Sequence, residues 1–462
     1  MKIHPPIPEI PADAPYKNDL FKRQEFGDSL FSLFKSIQES MVVCVDAPWG
    51  DGKTTFARMW LADLKNRGVN CIYFDAYAHD YADEPFVAFC GEILSLAEKE
   101  FADDQKIQAI KKDFFTKAKR ITTRIISVGT RIGLKALTFG NADNDDLKDL
   151  SRVKGDYRGG TPAGLSSIME AMLDDYAESK KNRDEFRSQL SALGCAVRAK
   201  QGFPLLIVVD ELDRCRPDFA LSLIERIKHL FAAQDVCFML LANTAQLQNY
   251  ARAVYGDDID AANYLRKFFT LTVELPKDSR DQNQNDYWKY TRRLIEHFEV
   301  KEYDRDMSAL LAGLFRIFKF SLREMEACLS NIAVYNAQLP PNHLSCSLVI
   351  SVLAVLRMKS PGIYSRLALN KISYEELIQS TGIDRVHASD YLKYSQKWLT
   401  DRLKYLLFTE DQLKDPEIDK DILHHAKWAG HGFGSSSKNE IIPMFCAELS
   451  RFRMEANENN EA

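Results

Sequence analysis

The chain has 462 residues, more than one hydrophobic core usually holds, so two or three domains are expected. Its content of 45% hydrophobic and 27% charged residues excludes a disordered or fibrous protein. A formal net charge of −5 excludes a general electrostatic attraction to nucleic acid or to an anionic membrane, so any such binding would need a local basic patch.

The cysteines and the apolar runs predict where the protein resides. Nine cysteines are scattered without a CxxC pair or zinc spacing, which is typical of reduced thiols in the cytoplasm. Residues 1–15 contain five prolines and no apolar run of signal-peptide length. Arg124, Arg131 and Lys135 interrupt the apolar stretch 121–139, so we expect an amphipathic helix there and no integral membrane span.

Strands and helices alternate in the first part of the chain. Apolar, β-branched runs predict strands at 41–45, 70–74, 205–209, 236–242 and 269–275. Helical spacing of apolar residues predicts helices at 28–39, 54–66, 84–101, 218–232 and 244–255. Such alternation is typical of an α/β protein with a parallel sheet between two layers of helices.

From residue 282 onward the pattern is helical. Apolar stripes predict helices at 286–297, 306–318, 322–338 and 344–358. A second helical stretch is predicted at about 374–408, separated from these helices by Pro361 and Gly362. Four segments are therefore predicted. They are an N-terminal leader and helix at 1–40, a sheet domain at 41–276 with a helical insertion at about 106–201, a helical lid at 277–360, and a C-terminal helical region at 361–462.

A glycine-rich segment between the first predicted strand and its helix carries the first chemical signal. Residues 47–54 read Ala-Pro-Trp-Gly-Asp-Gly-Lys-Thr. Gly50 and Gly52 permit a loop whose N–H groups face a triphosphate, Lys53 would bridge its β and γ phosphates, and Thr54 would ligate Mg²⁺. Ala47 replaces the first glycine of the usual pattern, and a chance glycine-rich turn is the alternative. The predicted ligands are ATP and Mg²⁺, and the predicted binding residues are Trp49, Gly50, Asp51, Gly52, Lys53, Thr54 and Thr55.

A pair of acidic residues follows the third predicted strand. Asp210 and Glu211 come directly after five aliphatic residues at 205–209. Downstream of a phosphate loop, such a pair suits a division of labour in which Asp210 holds Mg²⁺ while Glu211 orients and deprotonates the attacking water. A helix N-cap at the strand exit is the alternative. Together with the loop, the pair predicts the three-layer sandwich of a P-loop NTPase.

The acidic pair also carries a family resemblance. Residues 210–215, Asp-Glu-Leu-Asp-Arg-Cys, resemble the Walker B motif of the KAP family of P-loop NTPases. Residues 20–23, 74–77 and 264–268 resemble three further segments of that family, in the same order. The resemblance spans roughly residues 20–331.

The resemblance implies roles for five further residues. Arg23 belongs to the N-terminal box and is expected in the nucleotide site. Asn243 would hold the lytic water, unless it is only a helix N-cap. Arg266 and Lys267 would form an arginine finger that reaches a neighbouring subunit, or else are two solvated cations at a helix end. Arg323 would read the nucleotide from the lid, with a surface arginine as the alternative.

The predicted function is therefore that of an ATPase. The family resemblance implies a regulatory or motor-like component of a bacterial anti-phage defence system, acting as a homo-oligomer or with partner proteins encoded nearby. The alternative is an ATP-gated scaffold or signalling protein that turns over little nucleotide and recruits partners through its helical C-terminal half. Kinase-type transfer would need an acceptor site, for which no motif is present. Nucleic acid as a partner has only the basic run at 111–124 in its favour.

Overall fold

The structure is a computed structural model that describes most of the chain outside the predicted insertion. The described residues are 2, 4–6, 8–82, 85, 88–91, 184–228, 230, 232–277, 286–301, 307–339, 346–385, 392–415, 417–424 and 437–451. Most of the predicted helix 84–101, the apolar stretch 121–139, the basic run 111–124 and the predicted insertion up to residue 183 lie outside these residues.

Five parallel strands form one sheet in the order β2-β3-β4-β1-β5. Their bounds are β1 Met41–Asp46, β2 Ile72–Asp75, β3 Leu205–Asp210, β4 Val236–Ala242 and β5 Leu271–Glu274. The sheet confirms the predicted parallel α/β fold. Because all strands run the same way, the carboxyl ends of β1, β3 and β4 meet at one edge.

Helices cover both faces of this sheet. In β3, Leu205, Ile207 and Val209 belong to one hydrophobic core, whereas Leu206 and Val208 belong to another. Successive side chains of a strand point to opposite faces, so each core needs its own layer of helices. The helices around the sheet are α1 Arg23–Ser36, α2 Lys53–Asn66, α3 at residues 184–201, α4 Pro217–Ile227, α5 Thr244–Tyr255 and α6 Ala261–Arg266. The first core includes side chains of α3 to α6, and the second includes those of α1 and α2, which confirms the three-layer sandwich.

A bundle of helices follows the sheet. Its helices are α7 Asp286–Phe298, α8 Met307–Ile317, α9 Leu322–Gln338, α10 Ser347–Lys359, α11 Pro361–Ala368, α12 Tyr374–Thr381, α13 Leu392–Leu407, α14 Glu410–Leu413 and α15 Lys438–Ser450. One hydrophobic core extends from α7 to α15. No break in this core marks the predicted division at residue 360, and the domain boundaries stay a prediction.

Pro361 and Gly362 lie between α10 and the predicted helical stretch 374–408, but they also begin a helix, α11, that was not predicted. Proline fits the first turn of a helix, where its missing N–H is not needed. The stretch 374–408 contains more than one helix. Helix α12 ends at Thr381 because Gly382 takes the left-handed conformation, with φ 63°. Within the described part of the chain, the helices are too short or too polar to cross a membrane.

Candidate nucleotide site

The loop between β1 and α2 has the conformation that its glycines predict. Gly50 and Gly52 have φ values of 83° and 80°, in the left-handed region that other residues avoid. Ala47 is not among the positive-φ residues, and its N–H continues the β1–β4 ladder by donating to Ala242 O over 3.2 Å. Alanine is therefore tolerated at this position because the backbone there does not require a glycine.

Lys53 begins helix α2, and its ammonium group is held under the loop. Lys53 Nζ donates to Ala47 O over 2.7 Å and to Asp213 Oδ2 over 3.2 Å, with Pro48 O at 3.4 Å. Both partners of the Lys53–Asp213 ion pair are buried. The loop and the turn after β3 are thus joined by a buried charge pair.

Glu211 and Thr54 meet across the two elements. Thr54 Oγ1 donates a hydrogen bond to Glu211 Oε1 over 2.8 Å, and Arg214 Nε lies 2.6 Å from Glu211 Oε2. Glu211 has a φ of 58° and precedes a 3₁₀ turn at Leu212–Arg214, without a side-chain cap. The alternative that this glutamate caps a helix therefore finds no support in the geometry.

Asp210 lies beside them at the buried end of β3. Its carboxylate accepts hydrogen bonds from Tyr73 Oη over 2.9 Å and from the N–H of Glu211 over 2.8 Å. Burial, and then the neighbouring charge of Glu211, raise the pKa of Asp210 to about 6. A cation at this carboxylate would relieve both effects.

A cavity of about 340 Å³ opens above these residues. From the sheet domain it is lined by Gly50, Gly52, Lys53, Thr54, Thr55, Met59, Glu211 and Arg214. The helical bundle contributes Tyr290, Arg293, Leu322, Arg323 and Glu326, and the N-terminal segment contributes Pro6, Pro8, Glu9 and residues 18–23 except Lys22. Arg323 thus lines the cavity wall formed by α9, and its contact with nucleotide stays a prediction.

Arg23 contacts the loop rather than projecting freely into the cavity. Its guanidinium is buried and donates to Asp51 O over 2.7 Å, to Gly52 O over 3.2 Å and to Pro276 O over 3.1 Å. Burial lowers the pKa of Arg23 to about 10. The Asp51 carboxylate faces away and pairs with Lys277 Nζ over 3.1 Å. Contact of Arg23 or Asp51 with nucleotide stays a prediction.

Besides Asp51 and Asp210, four predicted residues lie outside the cavity lining. Trp49 is 43% exposed on the loop, and Arg266 and Lys267 are exposed at the end of α6. Asn243 caps α5, since its Oδ1 accepts from the N–H of Gln246 over 3.4 Å. The capping alternative for Asn243 is thus observed, and its role toward a lytic water stays a prediction.

Several residues of the site were not predicted from sequence. Asp213 and Arg214 belong to the string Asp-Glu-Leu-Asp-Arg-Cys that resembles the family motif, but the sequence assigned neither of them a role. Tyr73 on β2 had no distinguishing pattern. Tyr290 and Glu326 reach the cavity only because the bundle docks there, and the Tyr290 hydroxyl donates to Glu326 Oε1.

The residues present fit a nucleotide with Mg²⁺. Among the described residues, no group of three or more His, Cys, Asp or Glu is arranged to hold a metal ion by itself. Thr54 and Asp210 offer one hydroxyl and one carboxylate, which suits Mg²⁺, an ion that takes its other ligands from phosphate and water. The left-handed glycines supply the concave loop for the phosphates.

The sheet, the loop and the acidic strand end define the chain as a P-loop NTPase by its fold. Residues 23–338, more than half of the chain, match the KAP family P-loop domain. The chain belongs to the KAP family of P-loop NTPases.

A comparison with curated proteins finds no match. Among solved structures the chain is similar to the Aeropyrum pernix ORC2 protein in its ADPNP and ADP complexes, with 13% identity, 93% of this chain and 94% of that one covered, and a TM-score of 0.34. A likeness of that size carries no argument about function.

Proposed function

We propose that this chain binds ATP with Mg²⁺ in the cavity and hydrolyses it. The observation that carries the proposal is the 2.8 Å hydrogen bond from Thr54 Oγ1 to Glu211 Oε1. It brings the start of the phosphate-binding helix within reach of an acid at the end of β3, with Asp210 as the adjacent residue. Nucleotide, metal and attacking water would have to meet at this junction.

Four central residues divide three tasks in the proposed reaction. Lys53 donates to the phosphates, and Thr54 and Asp210 hold the cation. Bound Mg²⁺ would neutralise charge on the phosphate oxygens. Glu211 orients a water molecule in line with the terminal phosphate and accepts its proton. Asp210 suits a cation because burial, and then the charge of Glu211, raise its pKa, and a bound cation would offset both effects.

Glu211 must change partners before it can act as a base. Its two carboxylate oxygens contact Thr54 and Arg214 in this structure. A hydroxyl can ligate a cation through an oxygen lone pair and still donate its hydrogen, so cation binding by Thr54 does not by itself free Glu211 Oε1. We propose that Glu211 Oε1 exchanges the Thr54 hydroxyl for the attacking water when nucleotide binds, while Arg214 keeps the carboxylate oriented.

The cations outside the cavity support a further part of the proposal. Arg266 and Lys267 are exposed on α6 and line no part of the cavity of their own chain. We propose that one of them completes the site of a neighbouring copy, as an arginine finger does. Arg323, which does line the cavity, would read the same nucleotide in cis.

The biological role is proposed from the family resemblance. We place the ATPase in the bacterial cytoplasm, where reduced thiols such as those of its nine cysteines persist, as a component of anti-phage defence. Plaque counts on a phage-sensitive strain expressing the wild-type chain or Lys53→Ala test this role. Protection that is equal for both chains, or absent for both, would remove nucleotide-driven defence from the proposal.

Phosphate release by the purified chain with ATP and Mg²⁺ tests the enzymatic proposal. Glu211→Gln should slow hydrolysis by about 10²- to 10⁴-fold and leave ATP binding in place, because only the base is lost. The control is Asp218→Asn, which removes an exposed acid from the first turn of α4 and should hydrolyse like the wild type. If the wild type is already as slow as Glu211→Gln, the ATP-gated scaffold becomes the better interpretation.

A further inference from the structure

Asp213 is a buried acid with an unusual set of partners. Its side chain is fully buried in the turn after β3. Oδ2 accepts from Lys53 Nζ over 3.2 Å and from the N–H of Asn243 over 2.9 Å, whereas Oδ1 has no hydrogen-bond partner in the described structure. A buried carboxylate with so few donors is costly unless a cation stays beside it.

The turn holds Asp213 rigidly toward the phosphate loop. Its carbonyl oxygen accepts from Tyr250 Oη of α5 over 2.8 Å, and the 3₁₀ turn at Leu212–Arg214 fixes the backbone. The N–H of Asn243 anchors the carboxylate from the end of β4, the strand that lies between β3 and β1. The carboxylate therefore has little freedom to follow Lys53 if that side chain moves.

The geometry around Lys53 limits where its ammonium can point. An ammonium group has three N–H donors, arranged tetrahedrally with the side-chain carbon. Two of them are directed to Ala47 O and Asp213 Oδ2, while Pro48 O at 3.4 Å is a weak acceptor. One donor thus remains for a phosphate oxygen, in an orientation set by the other two bonds.

We propose that Asp213 is the positioning residue of the phosphate-loop lysine, which directs the remaining donor of Lys53 to the charge that develops on the transferred phosphate. The inference rests on the proposed ATPase function and names a residue through which that function would work. Asp213 touches neither nucleotide nor metal in this scheme. It acts only through Lys53.

The carboxylate also competes with phosphate for the ammonium. In the ground state this competition weakens binding of the triphosphate, whereas a fixed donor favours the transition state, in which phosphate charge is redistributed. Removal of the carboxylate charge should therefore lower kcat without weakening ATP binding. A residue that only supported the fold would weaken both together.

The test compares Asp213→Asn with a control at a partly buried acid. Asp46 at the end of β1 accepts from the N–H and hydroxyl of Thr244, whereas Asp213 accepts from Lys53, so Asp46→Asn removes a hydrogen-bonded carboxylate but not the acceptor of the lysine. For each full-length chain, kcat is measured by phosphate release, the ATP dissociation constant by equilibrium binding, and the fold by thermal unfolding. Asp213→Ser serves as a second variant, since its smaller side chain relieves strain that an amide could cause.

We expect Asp213→Asn to lower kcat by about 10- to 100-fold while the ATP dissociation constant stays within about threefold of the wild type or decreases. Asp46→Asn should not lower kcat while leaving ATP binding unchanged. A wild-type kcat in Asp213→Asn would overturn the inference. So would a joint loss of kcat, affinity and melting temperature, or failure of both Asp213 variants to fold while Asp46→Asn folds.

The two proposals fail in different ways. Absence of turnover in the wild type would reject the ATPase function, and this inference with it. Turnover in the wild type that Glu211→Gln abolishes and Asp213→Asn leaves unchanged would reject only the positioning role.

Discussion

The main-chain N–H of Arg323 donates a hydrogen bond to the carbonyl oxygen of Gly50 over 3.2 Å. The first turn of lid helix α9 thus rests directly on the phosphate loop. A Cβ atom at Gly50 would lie 2.6 Å from Cβ of Arg323 and 3.2 Å from Ser321 Oγ, so only glycine permits this approach. Loop and lid therefore share one small contact that any movement of either must change.

Substitution of Gly50 should separate the loop from the lid. Gly50→Ala adds the cost of a left-handed backbone, about 1–2 kcal/mol, and a clash with Arg323 that only a shift of α9 can relieve. We expect ATP affinity to fall by at least about tenfold, because the phosphate loop and the Arg323 wall both move. Equilibrium binding and thermal unfolding measure the two effects.

Gly68 provides the matched control for this substitution. It has a similar φ of 76°, but a Cβ atom there would meet nothing within 4 Å. Gly68→Ala should lower the free energy of unfolding only by the cost of a left-handed alanine, about 1–2 kcal/mol, and should keep its ATP affinity. Equal affinities of the two variants would mean that the lid contact does not matter for binding.

The buried Lys53–Asp213 pair should dominate the stability effect of any change at Lys53. Lys53→Met leaves the Asp213 carboxylate buried without its cation, which costs about 3–5 kcal/mol. Adding Asp213→Asn removes the uncompensated charge, so the double variant should be more stable than Lys53→Met alone. Denaturant unfolding of the wild type, both single variants and the double variant gives the coupling energy. A double variant that is less stable than Lys53→Met would contradict the pairing.

Glu324 should make the lid contact sensitive to acid. Its carboxylate accepts from Lys359 Nζ over 2.6 Å and from the N–H of Ser321 over 2.7 Å, which closes the capping box of α9. Burial by itself would raise the pKa of Glu324, but these hydrogen bonds outweigh it and lower the pKa below its usual value. A lowered pKa in the folded state means that the stabilisation is complete above the unfolded-state pKa of 4.5 and is lost as the pH falls through the folded-state value.

Glu324→Gln should therefore be less stable than the wild type at pH 7, and the difference should shrink as the pH falls below about 4. Thermal unfolding of both chains between pH 7 and pH 3 measures this change. Glu440→Gln alters the similar capping box of α15, which is no part of the cavity, and should leave ATP affinity unchanged where Glu324→Gln lowers it. A stability difference that is constant over the pH range would contradict the role of the Glu324 charge.

Much of the sheet could be predicted from sequence, because its signals are local. Strand β4 has the predicted bounds, since its apolar run ends at Asn243, which caps the next helix. The loop and the acidic pair could be identified because their chemistry depends on residues that are adjacent in the chain.

Contacts between distant segments could not be predicted in this way. Lys53 and Asp213 are 160 residues apart, and their pairing depends on how β1 and β3 are placed in the sheet. The contact between Gly50 and Arg323 uses main-chain atoms, which leave no mark in the side-chain pattern. The start of α11 at Pro361 was missed because proline signals both the end of one helix and the start of another.

Hydrolysis should depend on self-assembly if Arg266 or Lys267 acts on a neighbouring copy. Phosphate release per chain should then rise with protein concentration, because the second cation of the site arrives only with a partner. Arg266→Ala or Lys267→Ala should lower the rate at high concentration by about 10³-fold or more for the residue that acts as the finger.

Lys65→Ala, which removes an exposed cation from the last turn of α2, is the matched control and should behave like the wild type. Mixing the inactive finger variant with Glu211→Gln should restore activity, since each copy supplies what the other lacks. A rate per chain that is independent of concentration, with no rescue on mixing, would assign both cations to the solvated helix end.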